Sequence, residues 1–285
     1  ISSAINGEYL SIDKTTGQAL IYIFPSWFKT DTIPELSFNM KYDQSDPDDR
    51  RISLYSEIAD IELKGKYNLN SISGSLMKKF KTLASEISTS LPFPMPVVEE
   101  APPVKLQKQW ILKKMPIKIK NDTIDLDYNI HIKNLEVAKN YLKCKDINTN
   151  IIIDGELKSE NDKFEISGIA NIDNLFFLSK TNNVLVQDLT FKYDLSSLVS
   201  KNILYNMDND ISLNMPIAYF NKNTIKNVNF GLTTKNNRSD ISLSGNFDAK
   251  TDFGLKGGLV LGKESHELEL SKVNVKHANY EWNNK

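Results

Sequence analysis

In run after run of this chain, apolar side chains fall on every second residue. An extended strand sends alternate side chains to opposite faces, so a period of two confines the chain to β-sheet with one greasy face and one wet face. Ile124, Leu126, Tyr128, Ile130 and Ile132 alternate with Asp125, Asp127, Asn129, His131 and Lys133. The same cadence runs through Phe164, Ile166, Gly168, Ala170 and Ile172, through Leu189, Phe191, Tyr193 and Leu195, and through Val228, Phe230 and Leu232. Polar clusters (SENDK, KTNN, TKNNRSD) separate the runs and supply turn residues. The pattern predicts an all-β, mostly antiparallel meander.

Within the alternation a local pattern recurs: apolar, any, apolar, any, glycine. It occurs at Ile61, Leu63 and Gly65; at Ile151, Ile153 and Gly155; at Phe164, Ile166 and Gly168; at Ile241, Leu243 and Gly245; and at Phe253, Leu255 and Gly257. A glycine on the apolar face removes a side chain, which lets a sheet curl or bulge and lets another group approach the backbone. A kink that closes an ordinary sandwich or barrel core and a curved open groove are equally compatible with it. Parity says which residues share a face, not which face is inside; the apolar face is taken as the inner one.

Two segments depart from the β pattern. Leu76, Met77, Phe80, Leu83, Ala84 and Ile87 fall at helical spacing and predict a short amphipathic helix near 73–88, whose commonest use is to cover the end of a sheet. The stretch LPFPMPVVEEAPPV follows, with prolines that remove backbone donors and force an extended or looped course. The expected organisation is a β segment over 1–90 ending in the helix, a proline-rich linker over 91–106, and a second β segment over 107–285 that continues the sheet.

Chemistry needs polar groups gathered at one point, and the sequence offers little of that. His131, His266 and His277 show no metal-ligand spacing, the single Cys144 cannot build a zinc site or an internal disulfide, and Asp46, Asp48 and Asp49 read as a hydrated turn rather than a calcium loop. No nucleophile elbow, phosphate loop or dinucleotide fingerprint is present, so the expectation is a protein that is not an enzyme and needs no cofactor. Trp27, Trp110 and Trp282 have no spacing that would make a sugar-binding platform, which leaves a carbohydrate-active module as a weaker reading. With 35 basic and 36 acidic residues in 285, the net charge of -1 gives no electrostatic hold on nucleic acid. A hydrophobic fraction of 40% is enough for a folded chain, yet no run reaches the ~18 apolar residues of a membrane span. The chain opens on Ile1 rather than Met, as expected of a processed product or a piece of a longer protein.

One run resembles a known family. RISLYSEIADIELKGKYNLNSISGSLMKKFKTL, with Ser56, Ala59, Asp60, Gly65 and the segment from Leu76 to Leu83, is similar to a signature of TamB-like proteins of the Bacteroidetes type, in the AsmA superfamily. The order of DTIDLDYNIHIKNLEVAKNYL, INTNIIIDGELKSENDKFEISGIANIDNLFF and VLVQDLTFKYDLSS, and the close on LELSKVNVKHANYEWNN, resemble the middle and end of such proteins, so the likeness covers most of the chain from about residue 50. The resemblance implies a long curled sheet forming an open, taco-like hydrophobic groove in the periplasm. Such a protein is anchored in the inner membrane through a segment outside this chain and meets an Omp85-class outer-membrane barrel of TamA or BamA type. Its implied work is to bind and conduct phospholipid between inner and outer membrane, to aid outer-membrane protein assembly, or both. Ile61, Leu63, Ile124, Leu126, Ile130, Ile132, Phe164, Ile166, Ile241, Leu243, Phe253 and Leu255 are the candidate groove lining, proposed as a surface and not as a discrete site. The alternative is a structural or adhesive β-sandwich of the cell envelope whose apolar faces meet each other.

Overall fold

Alternating apolar and polar residues bury one face only when the strand pairs on both edges, and antiparallel hairpins are the shortest way to do that. The computed structural model follows this route almost without interruption. It describes residues 2–8, 16–28, 31–68, 123–139, 142, 144–160, 163–198, 207–248, 250–261 and 266–284. The early strands are β1 (Ser2–Glu8), β2 (Thr16–Ile23), the short pair β3 (Ser26–Phe28) and β4 (Asp31–Ile33), β5 (Leu36–Asp43), β6 (Arg50–Ser56) and β7 (Ala59–Lys66). The later ones are β8 (Ile124–Ile132), β9 (Asp146–Glu160), β10 (Lys163–Leu178), β11 (Asn183–Leu198), β12 (Met207–Phe220), β13 (Asn223–Lys235), β14 (Arg238–Phe247), β15 (Thr251–Leu261), β16 (His266–His277) and β17 (Tyr280–Asn283).

Apart from the β3–β4 hairpin, all of them lie in one 15-stranded antiparallel sheet in the order β1-β2-β5-β6-β7-β8-β9-β10-β11-β12-β13-β14-β15-β16-β17. The first and last strands are not neighbours, so the sheet is open. A right-handed twist accumulated over so many strands coils a sheet rather than leaving it flat. The predicted helix near 73–88, the proline-rich linker and Trp110 lie outside the described residues. The strands flanking that segment, β7 and β8, pair directly from Ala59 opposite Ile132 to Lys66 opposite Asp125, so both β segments belong to one sheet.

Ser56, Ala59 and Asp60 build the turn between β6 and β7. The Ser56 hydroxyl donates to the Ala59 carbonyl at 2.8 Å and accepts from the Ala59 N–H at 3.0 Å, while Lys133 reaches the Asp60 carboxylate at 2.7 Å. These residues hold a tight turn. The acidic QSDPDDRR segment is also a turn, with the Asp48 N–H donating to the Asp46 carboxylate at 2.9 Å and Asp48 and Asp49 paired with Lys66 and Arg51. Beside it, the Ser45 hydroxyl and N–H and the Thr16 hydroxyl donate to Asp43 and hold its carboxyl below the usual aspartate range. A depressed carboxyl contributes stability that is complete above its unfolded value, about 3.9, and is lost as the pH falls through its lower folded value. Asp43→Asn should therefore lower stability at neutral pH and converge on the parent only as the pH falls through the lowered folded-state value, read by denaturation at each pH.

Continuous pairing is broken along one oblique line. Asp173 is bulged out between Ile172 and Asn174 in β10, Asp188 and Asn227 carry left-handed φ values of 54° and 51°, and Pro216 has no paired partner in the middle of β12. Proline cannot donate to a ladder, and bulges on the neighbouring strands are where an interior strand tolerates it. Past this line Phe176 lies opposite Leu185, and Leu185 opposite Tyr219, on the face that elsewhere is polar.

Among the described residues the packed interior is small. Tyr67, Ile124, Leu126, Leu157 and Phe164 form a buried cluster at one end of strands β7 to β10, with Ile52, Leu63, Tyr128 and Ile166 against it. At the opposite end a short 3-10 turn over Glu136–Ala138 touches β9, near the buried Ile147 and Thr149 and the unpaired, buried Cys144.

Candidate functional site

The meander's hairpins align the apolar positions of separate strands into rows that run across the sheet. One row passes through Ile5, Ala19, Met40, Leu54, Ile61, Ile130, Ile153, Ala170, Phe191, Leu213, Phe230, Leu243, Leu255 and Val273, one residue from each of fourteen consecutive strands. Every member is apolar. At strand spacings near ~4.8 Å the row is roughly 60 Å long. From Met40 to Val273 each member is half-buried, neither sealed in a core nor fully exposed. Among the described residues the other sheet is the two-stranded β3–β4 hairpin and the helical element is one 3-10 turn, so no second sheet or helix of comparable size is there to cover this face.

The adjacent row reads Tyr42, Ile52, Leu63, Tyr128, Gly155, Gly168, Tyr193, Ile211, Leu232, Ile241, Gly257 and Leu270. Gly155 and Gly168 stand opposite each other, and the tyrosines on the outer strands lie over them. A Cβ on Gly155 would meet the Tyr128 hydroxyl at 2.4 Å, and one on Gly168 the Tyr193 hydroxyl at 2.6 Å. The two hydroxyls meet at 2.6 Å above the glycine pair, and Tyr128 also donates to the Ser167 carbonyl at 3.3 Å. Burial, with the Tyr193 hydroxyl beside it, pushes the Tyr128 phenol upward, so it stays protonated. Phe191 stacks on Tyr193 at a centroid distance of 5.6 Å. A similar arrangement recurs at Gly245, where a Cβ would meet the Phe253 ring at 2.8 Å. Gly155, Gly168 and Gly245 thus seat aromatic rings from neighbouring strands, whereas a Cβ on Gly65 or Gly257 would meet a backbone carbonyl oxygen of the next strand.

All twelve residues expected to line the apolar surface share one face. Ile61, Ile130, Leu243 and Leu255 stand in the first row, Leu63 and Ile241 in the second, and Leu126, Ile166, Ile124, Phe164, Ile132 and Phe253 in the flanking rows. Nine are half-buried, whereas Ile124, Leu126 and Phe164 are buried in the end cluster and present no open surface. Sequence reasoning missed the tyrosine pair. Tyr128 and Tyr193 are visible at apolar parity, but their meeting across 65 residues depends on three successive hairpin registers. It also missed the exposed edge of the same face, where Leu268, Leu270, Val275, Tyr280 and Trp282 are 60%, 44%, 37%, 81% and 58% accessible.

The opposite face is polar and stitched laterally. Asn214 donates to Asn229 at 2.8 Å, Asn227 to Asn246 at 2.8 Å, and Thr190 to Asn171 at 3.2 Å, while His131 bonds Asn150 at 2.7 Å. A shallow depression on this face over β7 to β10 is bordered by Glu62, Lys64, Asp127, Asp154 and Glu156. No group of His, Cys, Asp or Glu among the described residues is arranged to hold a metal, and no helix among them is long and apolar enough to cross a membrane.

The fold and this face define an open antiparallel sheet with a continuous apolar surface. No protein-family model, curated protein or solved structure matches the chain.

Proposed function

We propose that this chain is a segment of a TamB-like, AsmA-superfamily β-groove that binds and conducts phospholipid, with the apolar face as the conducting surface. The observation that carries the reading is the fourteen-residue apolar row, half-buried from Met40 to Val273 and without a second protein layer among the described residues. Monomers rarely leave apolar patches beyond a few hundred Å² without a partner for them. Each acyl methylene withdrawn from water is worth about 0.8 kcal/mol, and such contacts have no directional demand, so a tail can be held firmly and still slide from strand to strand. Passage of this kind requires no catalytic group. In this reading the protein works in the periplasm, is tethered to the inner membrane outside this chain, and hands lipid toward an Omp85-class barrel. A β-sandwich would instead need a second sheet over the apolar rows, and the described residues hold one large sheet and one two-stranded hairpin.

Gentle extraction followed by native mass spectrometry tests the proposal. Phospholipid should co-purify with the chain, leave on detergent washing, and return on incubation with phospholipid vesicles. A chain that carries none and acquires none ends the proposal.

A further inference from the structure

We propose that the paired hydroxyls of Tyr128 and Tyr193 are a hydrogen-bonding station on the apolar face, made for the ester carbonyl of a diacyl lipid. The inference rests on the groove reading above and names the part of the lipid that this point selects. Along the two central rows, from Ile52 and Leu54 to Leu270 and Val273, the only side-chain polar atoms are these two phenolic oxygens. Both rings are half-buried, so they are not sealed beneath other residues among those described. The surface beside them is low. Gly155 and Gly168 are covered by the tyrosines themselves, and Ala170, next along β10 on the same face, is smaller than its first-row neighbours Ile153 and Phe191.

Proton counting shows what the pair has to offer. Two phenols carry two hydrogens, and one is used in the 2.6 Å contact between them. If Tyr193 donates to Tyr128, the remaining hydrogen goes to the Ser167 carbonyl across 3.3 Å, longer than the usual ~2.7–2.8 Å for a hydroxyl donor. If Tyr128 donates to Tyr193, the Tyr193 hydrogen has no acceptor among the described residues and is free for a ligand on the face. Exchanging the first arrangement for the second gives up only that long contact. The second also forms a chain, Tyr128 to Tyr193 to ligand, in which each bond polarises the next in a low-dielectric setting. An ester carbonyl fits because it accepts without donating and joins an acyl tail to a polar head. The tail would follow the first row while the carbonyl stops at the tyrosines.

The test compares an ester-linked diacyl phosphatidylcholine with its ether-linked dialkyl counterpart of the same chain length, which lacks the carbonyl. The parent chain should retain the ester lipid several-fold better. With a 13C-labelled ester carbonyl, the infrared stretch of the bound lipid should shift to lower frequency relative to the lipid in hydrocarbon. Y128F/Y193F keeps both rings over the glycines; it should erase the ester preference and the carbonyl shift while leaving ether-lipid binding unchanged. Equal retention of the two lipids by the parent, or an unshifted carbonyl, overturns the station while the groove stands. Binding of neither lipid by the parent overturns the groove reading and the station with it. The infrared measurement on the parent chain decides the matter even where the double variant fails to fold.

Discussion

Placing a valine at Gly155 should unfold the centre of the sheet. An added Cβ there would sit 2.3 Å from the Ser167 carbonyl oxygen and 2.4 Å from the Tyr128 hydroxyl, and the same position on Gly168 is 2.5 Å from the Asp154 carbonyl oxygen. The first contact is with backbone of the next strand, which cannot rotate away as a side chain can. Relief therefore requires β9 and β10 to separate or the tyrosine to leave its seat. Overpacking of this kind costs about 1–3 kcal/mol for a modest insertion and more where backbone must move. Gly168→Ala is expected in that range and Gly155→Val above it, measured as a drop in the denaturation midpoint at unchanged slope. Combining Gly155→Ala with Tyr128→Ala should recover part of the loss, because it removes the hydroxyl contact and leaves the carbonyl contact in place. Full tolerance of valine at Gly155 would mean that neither the Ser167 carbonyl nor the tyrosine closes over the glycine.

A charge on the apolar row should separate function from folding. Leu243 stands between Phe230 and Leu255 in the first row and is half-buried, so an aspartate there keeps contact with water in the lipid-free protein. Leu243→Asp is expected to leave far-UV circular dichroism intact while phospholipid retention falls. A tail forced off three or four methylenes around the carboxylate loses about 2.5–3 kcal/mol, on the order of a hundredfold in retention. The contrast is Leu126→Asp. Leu126 is only 5% accessible inside the end cluster, and an unpaired carboxylate there costs several kcal/mol of fold stability. Equal unfolding by both variants would show that Leu243 is backed by a closed core and that the face is no conduit.

Much of this architecture is readable from residue order. The run from Ile124 to Ile132 becomes β8 with the same bounds, and the Phe164 to Ile172 and Leu189 to Leu195 runs lie within β10 and β11. Parity put the twelve candidate lining residues on one face because alternation is a property of a single strand and needs no knowledge of its partners. The places where such reading stops are equally specific. Asp173, Asp188, Pro216 and Asn227 sit inside long strands and interrupt the pairing, so Phe176, Leu185 and Tyr219 occupy the polar side despite their chemistry. The burial of Ile124, Leu126 and Phe164 depends on where strand ends cluster, which alternation does not encode.

Residue order alone determined that the chain makes strands, that each strand has one apolar face, and that hairpin turns join most of them. It did so because side-chain direction and turn chemistry are local. Tertiary structure decided that fourteen apolar positions fall in one unbroken row and that two tyrosines on strands three places apart meet over two facing glycines. Register across many strands is a sum of hairpin geometries and bulges, and that sum exists only once every strand has paired.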